Sequence, residues 1–115
     1  MSALEPVSDD TFDELVLRSD RVVAVDFWAD WCPYCPAVAK LLAGLAEEFG
    51  ERARIVSLNY DDNPRTGLAY RVMSLPTVLV FRDSEPVASI VGLRPVGHFR
   101  SAIEAAIEAT VGPAR

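Results

Sequence analysis

Cysteine, histidine and lysine are scarce in this chain of 115 residues. It contains two cysteines, one histidine and, among eleven basic residues, a single lysine, Lys40. Structural zinc takes four ligands, and beyond Cys32 and Cys35 the chain offers only His98 and scattered carboxylates, so we expect no metal site. His98 stands far in sequence from both cysteines, and we interpret it as a surface residue.

An excess of basic residues and long apolar runs are also missing. The formal net charge is -6 and the arginines form no cluster, which argues against nucleic acid as a partner. No stretch approaches the roughly 18 uninterrupted apolar residues of a membrane span, so we expect no membrane association. Residues 1–10 carry acids where a secretory signal carries basic residues before an apolar run. A cytoplasmic location is therefore the prediction.

The two cysteines stand two residues apart at the end of an apolar run. Such a pair either supplies half of a metal site or cycles between dithiol and disulfide. A disulfide that closes so short a loop removes little entropy from the unfolded chain, which makes a structural role weak. In a reducing compartment a lone, closely spaced pair is more often catalytic. The spacing of Cys32 and Cys35 thus favours a redox centre.

Apolar patterns along the chain predict alternating strands and helices. Strands are expected over residues 21–29, 53–59, 78–81 and 86–91, the last two joined as a hairpin. Four helices are expected: from 8 to about 19, from 32 or just after to 49, from 63–64 to about 71, and from 95 onward. This order indicates an α/β fold with a mixed sheet between helices. We expect a single domain over residues 1–115, with 1–7 and 111–115 as loose termini.

Three residues mark predicted helix ends. Ser8 can cap the first helix, with Asp9 and Asp10 in its first turn, where acids complement the helix dipole. Asn63 stands before a proline in the favoured first helical position and is expected to cap the third helix. Gly50 follows the long helix, where a left-handed cap is wanted.

Asp26 interrupts the first predicted strand. A carboxylate there is costly to bury unless it is paired or protonated. One interpretation is a carboxylate at a strand end that backbone groups or water satisfy; the other is a functional acid.

Several motifs in this order resemble those of the thioredoxin family, and the resemblance extends from about Ser8 to Ala109. It rests on Val25-Asp26-Phe27-Trp28-Ala29, Trp31-Cys32-x-x-Cys35, Leu58-Asn59-Tyr60-Asp61 with Asn63-Pro64, Leu75-Pro76-Thr77, and Gly92. The family implies a thioredoxin fold, a central mixed sheet flanked by four helices. It also implies an enzyme of cell redox homeostasis that reduces protein disulfides, with thioredoxin reductase as electron donor and no cofactor besides a redox-active Cys32–Cys35 disulfide. A monomer is expected.

The resemblance also implies roles for the catalytic residues. Cys32 would be the attacking thiol, placed at a helix N-terminus that favours the thiolate, and Cys35 the shielded, resolving thiol. Asp26, buried beneath Cys35 with a pKa raised by desolvation, would exchange protons with that thiol.

The substrate site implied by the family lies around the cysteines. A cis peptide bond before Pro76 would expose the backbone of Leu75 to an extended substrate. The expected substrate-binding residues are Trp31, Pro33, Tyr34, Leu75, Pro76 and Gly92. For Trp28 we favour core packing.

Three residues or pairs depart from the family pattern. Pro33-Tyr34 is the dipeptide typical of glutaredoxins, so a glutathione-coupled reductase, or a thiol oxidase or isomerase with a less reducing potential, stays open. So does a non-catalytic binding module. Ser57 replaces a buried lysine near Asp26, which should raise the pKa of that acid further. Lys40 replaces a helix-kinking proline, so we expect the long helix to be straighter here.

Overall fold

Strands and helices alternate along the part of the chain that the computed structural model describes, residues 4–110. The strands are β1 (Glu5–Val7), β2 (Val22–Trp28), β3 (Ala53–Asn59), β4 (Thr77–Arg82) and β5 (Glu85–Val91). A short N-terminal helix (Asp13–Leu17) precedes α1 (Cys35–Phe49), α2 (Pro64–Ala69) and α3 (Val96–Thr110). The predicted mixed sheet with four helices is therefore confirmed.

The sheet has the strand order β1-β3-β2-β4-β5. β1 and β2 run parallel to β3, whereas β4 is antiparallel to both β2 and β5. The central strands are buried on both faces, as their continuous apolar runs predict. β5 is largely exposed and carries Pro86 at the edge of the sheet, where a residue without an amide hydrogen costs little. Asp83 and Ser84 close the β4–β5 hairpin with positive φ angles of 52° and 73°.

β1 corrects the expectation that residues 1–7 form a loose terminus. Glu5–Val7 pairs in parallel with β3, from Glu5 beside Val56 to Val7 beside Leu58. Leu4 and Val7 are buried. Three residues that include a proline are too few to show a period, so only pairing with a distant strand reveals this one. Residues 1–3 and the expected loose terminus at 111–115 lie outside the described range.

The predicted first helix is shorter than expected and Ser8 does not cap it. Ser8 and Thr11 instead close a turn, in which the Thr11 N–H donates to Ser8 O at 3.1 Å. The N-terminal helix that follows is a wide turn, with an i to i+5 hydrogen bond of 2.9 Å from Arg18 N–H to Asp13 O. Polar side chains that bond to the nearby backbone have displaced its first turn.

Asp9 caps a helix, but the helix is α2. Its carboxylate accepts hydrogen bonds from the N–H groups of Arg65 (3.1 Å) and Thr66 (2.9 Å) and from the Thr66 hydroxyl (2.6 Å). The expected cap, Asn63, makes no such bond; its Oδ1 accepts from the Asp9 N–H at 2.8 Å. The sequence shows an acid near a helix start, but the fold decides which helix start lies beside it.

Two apolar clusters pack on opposite faces of the sheet. Side chains alternate along β2, so Val22 and Ala24 face α1 and α3, whereas Val23 and Val25 face the N-terminal helix. Asp26 shares the parity of Val22 and Ala24. It therefore points towards α1, the helix that begins with Cys35.

Candidate active site

Four segments of the chain meet at one end of the sheet because of the strand register. Phe27 near the end of β2 pairs with Thr77 at the start of β4, and Thr77 pairs with Val91 at the end of β5. Trp28 pairs with Asn59, so β2 and β3 end together. The cysteine loop, the loop after β3, the Leu75-Pro76 turn and Gly92 consequently share this end.

Cys32 and Cys35 are joined by a disulfide, with their Cα atoms 5.5 Å apart. Each residue is only 3% exposed, so in this oxidised state exposure does not distinguish an attacking from a resolving thiol. What separates the two cysteines is their surroundings.

Helix α1 begins at Cys35, about three residues later than predicted. An α-helix that included Cys32 would need an amide hydrogen on Pro36 to bond with the Cys32 carbonyl, and proline has none. The Cys32 carbonyl accepts instead from the Cys35 N–H at 3.4 Å, in a tighter turn. Cys32 thus lies in the turn just ahead of the helix N-terminus.

Asp26 is fully buried in the middle of its strand. Neither carboxyl oxygen has a hydrogen-bond partner among the described residues. This removes the alternative of a strand-end carboxylate that backbone groups satisfy. Desolvation by burial raises the pKa of Asp26 to about 7.

An open hollow of about 570 Å³ separates Asp26 from α1, and we call it the Asp26 hollow. Ala39, Ala43 and Ser57 leave this space because their side chains are small, and Ser57 is the β3 neighbour of Asp26 in the register. The hollow is lined by Asp26, Trp28, Ala29, Asp30, Cys35, Pro36, Ala39, Lys40, Ala43 and Ser57. Cys35 lines it and Cys32 does not.

Exposed side chains surround the cysteine loop. Trp31 and Tyr34 are 63% and 59% exposed, and Pro33 is exposed as well. The Trp31 Nε1–H donates to Asp61 Oδ2 at 2.8 Å, which holds the indole in place. Asp61 is in turn positioned by Asn59, whose Oδ1 accepts from the Asp61 N–H at 3.0 Å. Sequence reasoning assigned no role to Asp61, although its position just after β3 at the site end of the sheet is a usable signal.

The Leu75–Pro76 peptide bond is cis, as the resemblance implied. Pro76 is buried and Leu75 half-buried. The Pro76 carbonyl accepts from the Gly92 N–H at 2.8 Å, which joins two of the expected substrate-binding residues. Gly92 has a φ of 87°, a backbone conformation that favours glycine.

Other residues near the site were assigned differently or missed. Trp28 is half-buried and lines the Asp26 hollow rather than packing wholly in the core. Met73, 88% exposed just before the cis proline turn, carried no sequence signal. His98 is exposed on α3, as expected.

Two features are absent from residues 4–110. No group of three or more histidine, cysteine or acidic side chains there could hold a metal ion. Within the same range, no helix has the length and apolar character needed to cross a membrane.

A buried acid beside one member of a cysteine pair, at the end of a mixed sheet, defines a protein of dithiol–disulfide exchange. Residues 3–105 match the sequence model of the thioredoxin family. The chain is 47% identical to a thioredoxin of Streptomyces clavuligerus over 92 residues, covering 80% of this chain and 85% of the relative. It is 40% identical to a thioredoxin of Staphylococcus saprophyticus over 102 residues (89% and 96%) and 38% identical to one of Synechocystis over 104 residues (90% and 97%).

The chain belongs to the thioredoxin family. It is a thiol–disulfide oxidoreductase that reduces the disulfides of proteins, and its partners are disulfide-containing substrates and a reductase.

Proposed function

We propose that Cys32 is the attacking thiol and Cys35 the resolving thiol of this exchange. The observation that carries this order is that Cys35 lines the Asp26 hollow and Cys32 does not. The exposed side chains of Trp31 and Pro33 adjoin Cys32, where a substrate can approach. Cys32 also precedes the N-terminus of α1, whose partial positive charge favours a thiolate.

The exchange then proceeds in two substitutions at sulfur. The Cys32 thiolate attacks one sulfur of the substrate disulfide, the substrate S–S bond breaks, and the first substrate thiolate leaves and takes a proton. Cys35 gives its proton to Asp26, and its thiolate attacks the Cys32 sulfur of the mixed disulfide. The S–S bond between Cys32 and the substrate breaks, the Cys32–Cys35 disulfide forms, and the second substrate thiolate leaves and takes up a proton, balanced by the proton that Asp26 then returns to solvent. Two electrons and two protons from the reductase restore the dithiol.

Asp26 suits the role of proton acceptor because of its burial. With a pKa of about 7, both the carboxyl and the carboxylate are populated near neutral pH, so the group can take a proton and return it. Neither oxygen is engaged by another group of the described chain, so both are available to the thiol.

The proposed substrate site extends from the cysteine loop to the cis proline turn. Among residues 4–110, no hydrogen bond engages the backbone of Leu75, which leaves that backbone available to pair with an extended substrate. Pairing through the backbone gives affinity without sequence preference. The set comprises Trp31, Pro33, Tyr34, Leu75, Pro76 and Gly92.

We propose thioredoxin reductase as the electron donor, a cytoplasmic location and a monomeric state. Reducing pools that can recycle a dithiol are found in the cytoplasm. The exposed side chains of Trp31 and Tyr34 flank the disulfide, so we assign them to substrate binding rather than to contact with a second copy of this chain. No cofactor is needed beyond the redox-active pair. The exposed Pro33-Tyr34 dipeptide favours a second candidate, a glutathione-coupled reductase, or an oxidase or isomerase with a less reducing potential.

Insulin reduction tests the proposal. We expect turnover with NADPH and thioredoxin reductase, loss to the background rate in Cys32→Ser, and a trapped mixed disulfide in the matched Cys35→Ser variant, detected by mass spectrometry. A mixed disulfide trapped by Cys32→Ser instead would reverse the proposed order. Recycling by glutathione but not by the reductase would favour the second candidate. Absence of turnover with both donors would point to a binding module.

A further inference from the structure

Lys40, the only lysine of the chain, lies on the wall of the Asp26 hollow. It belongs to α1 and is exposed, and across residues 4–110 it makes neither an ion pair nor a side-chain hydrogen bond. The exchange mechanism described above gives it no role. An exposed lysine without a partner among residues 4–110 therefore lines a hollow that contains a buried carboxyl without one.

The wall of the hollow can support the lysine side chain. Pro36 and Ala43 lie one turn before and one turn after Lys40 along α1, and both line the same space. Their apolar surface allows the four-carbon stem to lie along the helix while the charged end stays at the open, solvent side of the hollow. The stem is flexible, so the ammonium group can reach different depths of the hollow.

Few other charges face Asp26. The other lining residues that can ionise are Asp30, from the loop after β2, and Cys35 once its disulfide is reduced, and neither can stabilise a carboxylate. The strand neighbours of Asp26 are Ser57 on β3 and Val78 on β4, which carry no charge. Lys40 is thus the one cation among the lining residues.

We propose that Lys40 is a positioning residue for the proton of Asp26: its ammonium group closes over the hollow when Asp26 ionises and stabilises the carboxylate. In the conformation observed, burial alone raises the pKa of Asp26, with no contribution from a charged neighbour, so Lys40 is not yet close to the carboxyl. Lys40 then sets the pH range in which Asp26 accepts the Cys35 proton. This consequence for the reaction rests on the function proposed above.

The test is an NMR titration of the Asp26 carboxyl carbon in the oxidised protein, which needs no turnover. In Lys40→Met, which keeps the length of the side chain without its charge, the measured pKa should rise by roughly half a pH unit or more. Lys40→Arg should restore the wild-type value. Arg52→Gln, which removes the same charge beyond the far end of α1, is the matched control and should have little effect.

A shift below about 0.2 pH unit in Lys40→Met would overturn the proposal, given the strength expected for a nearby opposite charge. An equal shift in Arg52→Gln would overturn it too, since the effect would then reflect net charge alone. The pH profile of mixed-disulfide resolution should move with the titration. If the titration shifts but Asp26→Asn leaves that profile unchanged, Lys40 still stabilises the carboxylate, and the failure lies in the proton transfer to Asp26.

Discussion

The two faces of the sheet are packed in contrasting ways. On the face towards the N-terminal helix, the rings of Phe12, Tyr70 and Phe81 meet with centroid distances of 5.1 to 5.7 Å, in tilted and edge-to-face arrangements. On the face towards α1, small side chains leave a hollow beside a buried acid without partners. Close packing stabilises the fold, whereas proton exchange needs an acid that is both desolvated and reachable. The protein separates these demands by placing them on opposite faces of β2.

Truncating the aromatic face should have the largest effect. Phe81→Ala removes a buried ring from the contacts with Phe12 and Tyr70, and should lower the free energy of unfolding by about 3 to 5 kcal/mol. The pKa of Asp26 should not change, because the ring lies across the sheet. Urea unfolding and NMR titration measure the two quantities.

Val87→Ala, on the exposed edge strand β5, is the control for this truncation and should cost less than about 0.5 kcal/mol. A shift of the Asp26 pKa in Phe81→Ala would break the contrast between the faces.

The buried acid should make the protein less stable as pH rises. The folded-state pKa of about 7 lies above the ordinary value of 3.8, so the folded state binds more protons between these values and its stability falls with rising pH. The loss is complete above pH 7 and amounts to about 4 kcal/mol at most. Asp26→Asn removes this term. The difference in unfolding free energy between wild type and Asp26→Asn, measured with urea, should therefore change between pH 3.8 and about 7. If the unfolding free energies of both proteins depend on pH in the same way, Asp26 is not desolvated.

The cap provided by Asp9 should have a smaller effect. Asp9→Ala removes the acceptor for two backbone N–H groups at the start of α2, and should cost about 1 to 2 kcal/mol at neutral pH. Desolvation raises the pKa of Asp9, but hydrogen bonds from Thr66 and Arg65 outweigh it and hold the pKa below the ordinary value. The ionised Asp9 therefore stabilises the fold fully above about pH 3.8, and this stabilisation is lost as pH falls through the folded-state pKa of Asp9.

Asp10→Ala is the matched control for the cap. Asp10 is an exposed acid whose Oδ1 accepts from Arg65 Nη2 at 2.9 Å, and removing such a surface pair should cost less than about 0.5 kcal/mol. Equal losses in the two variants would mean that the cap geometry of Asp9 contributes nothing beyond its charge.

Local patterns predicted the elements with strong periodicity. The limits of β3 agree with the prediction, and β2 is shorter than predicted by one residue at each end. Both strands were predictable because continuous runs of apolar, β-branched residues are typical of strands buried on both faces. The end of α1 at Phe49 also agrees; Gly50 follows with a positive φ of 58°, but its ψ of -122° lies outside the left-handed helical region that a left-handed cap requires. The predicted start of α1 was wrong because the missing amide hydrogen of Pro36 was not weighed against the Cys32 carbonyl.

The sequence by itself determined the class of chemistry, because two cysteines at this spacing, an acid in an apolar strand and a proline turn are local facts. Only the tertiary structure decided which groups meet. Asp9 caps a helix 55 residues further along the chain, Trp31 is held by Asp61, and Lys40 shares a hollow with Asp26. These contacts depend on strand register and on the space that small side chains leave, and both arise from packing between distant segments.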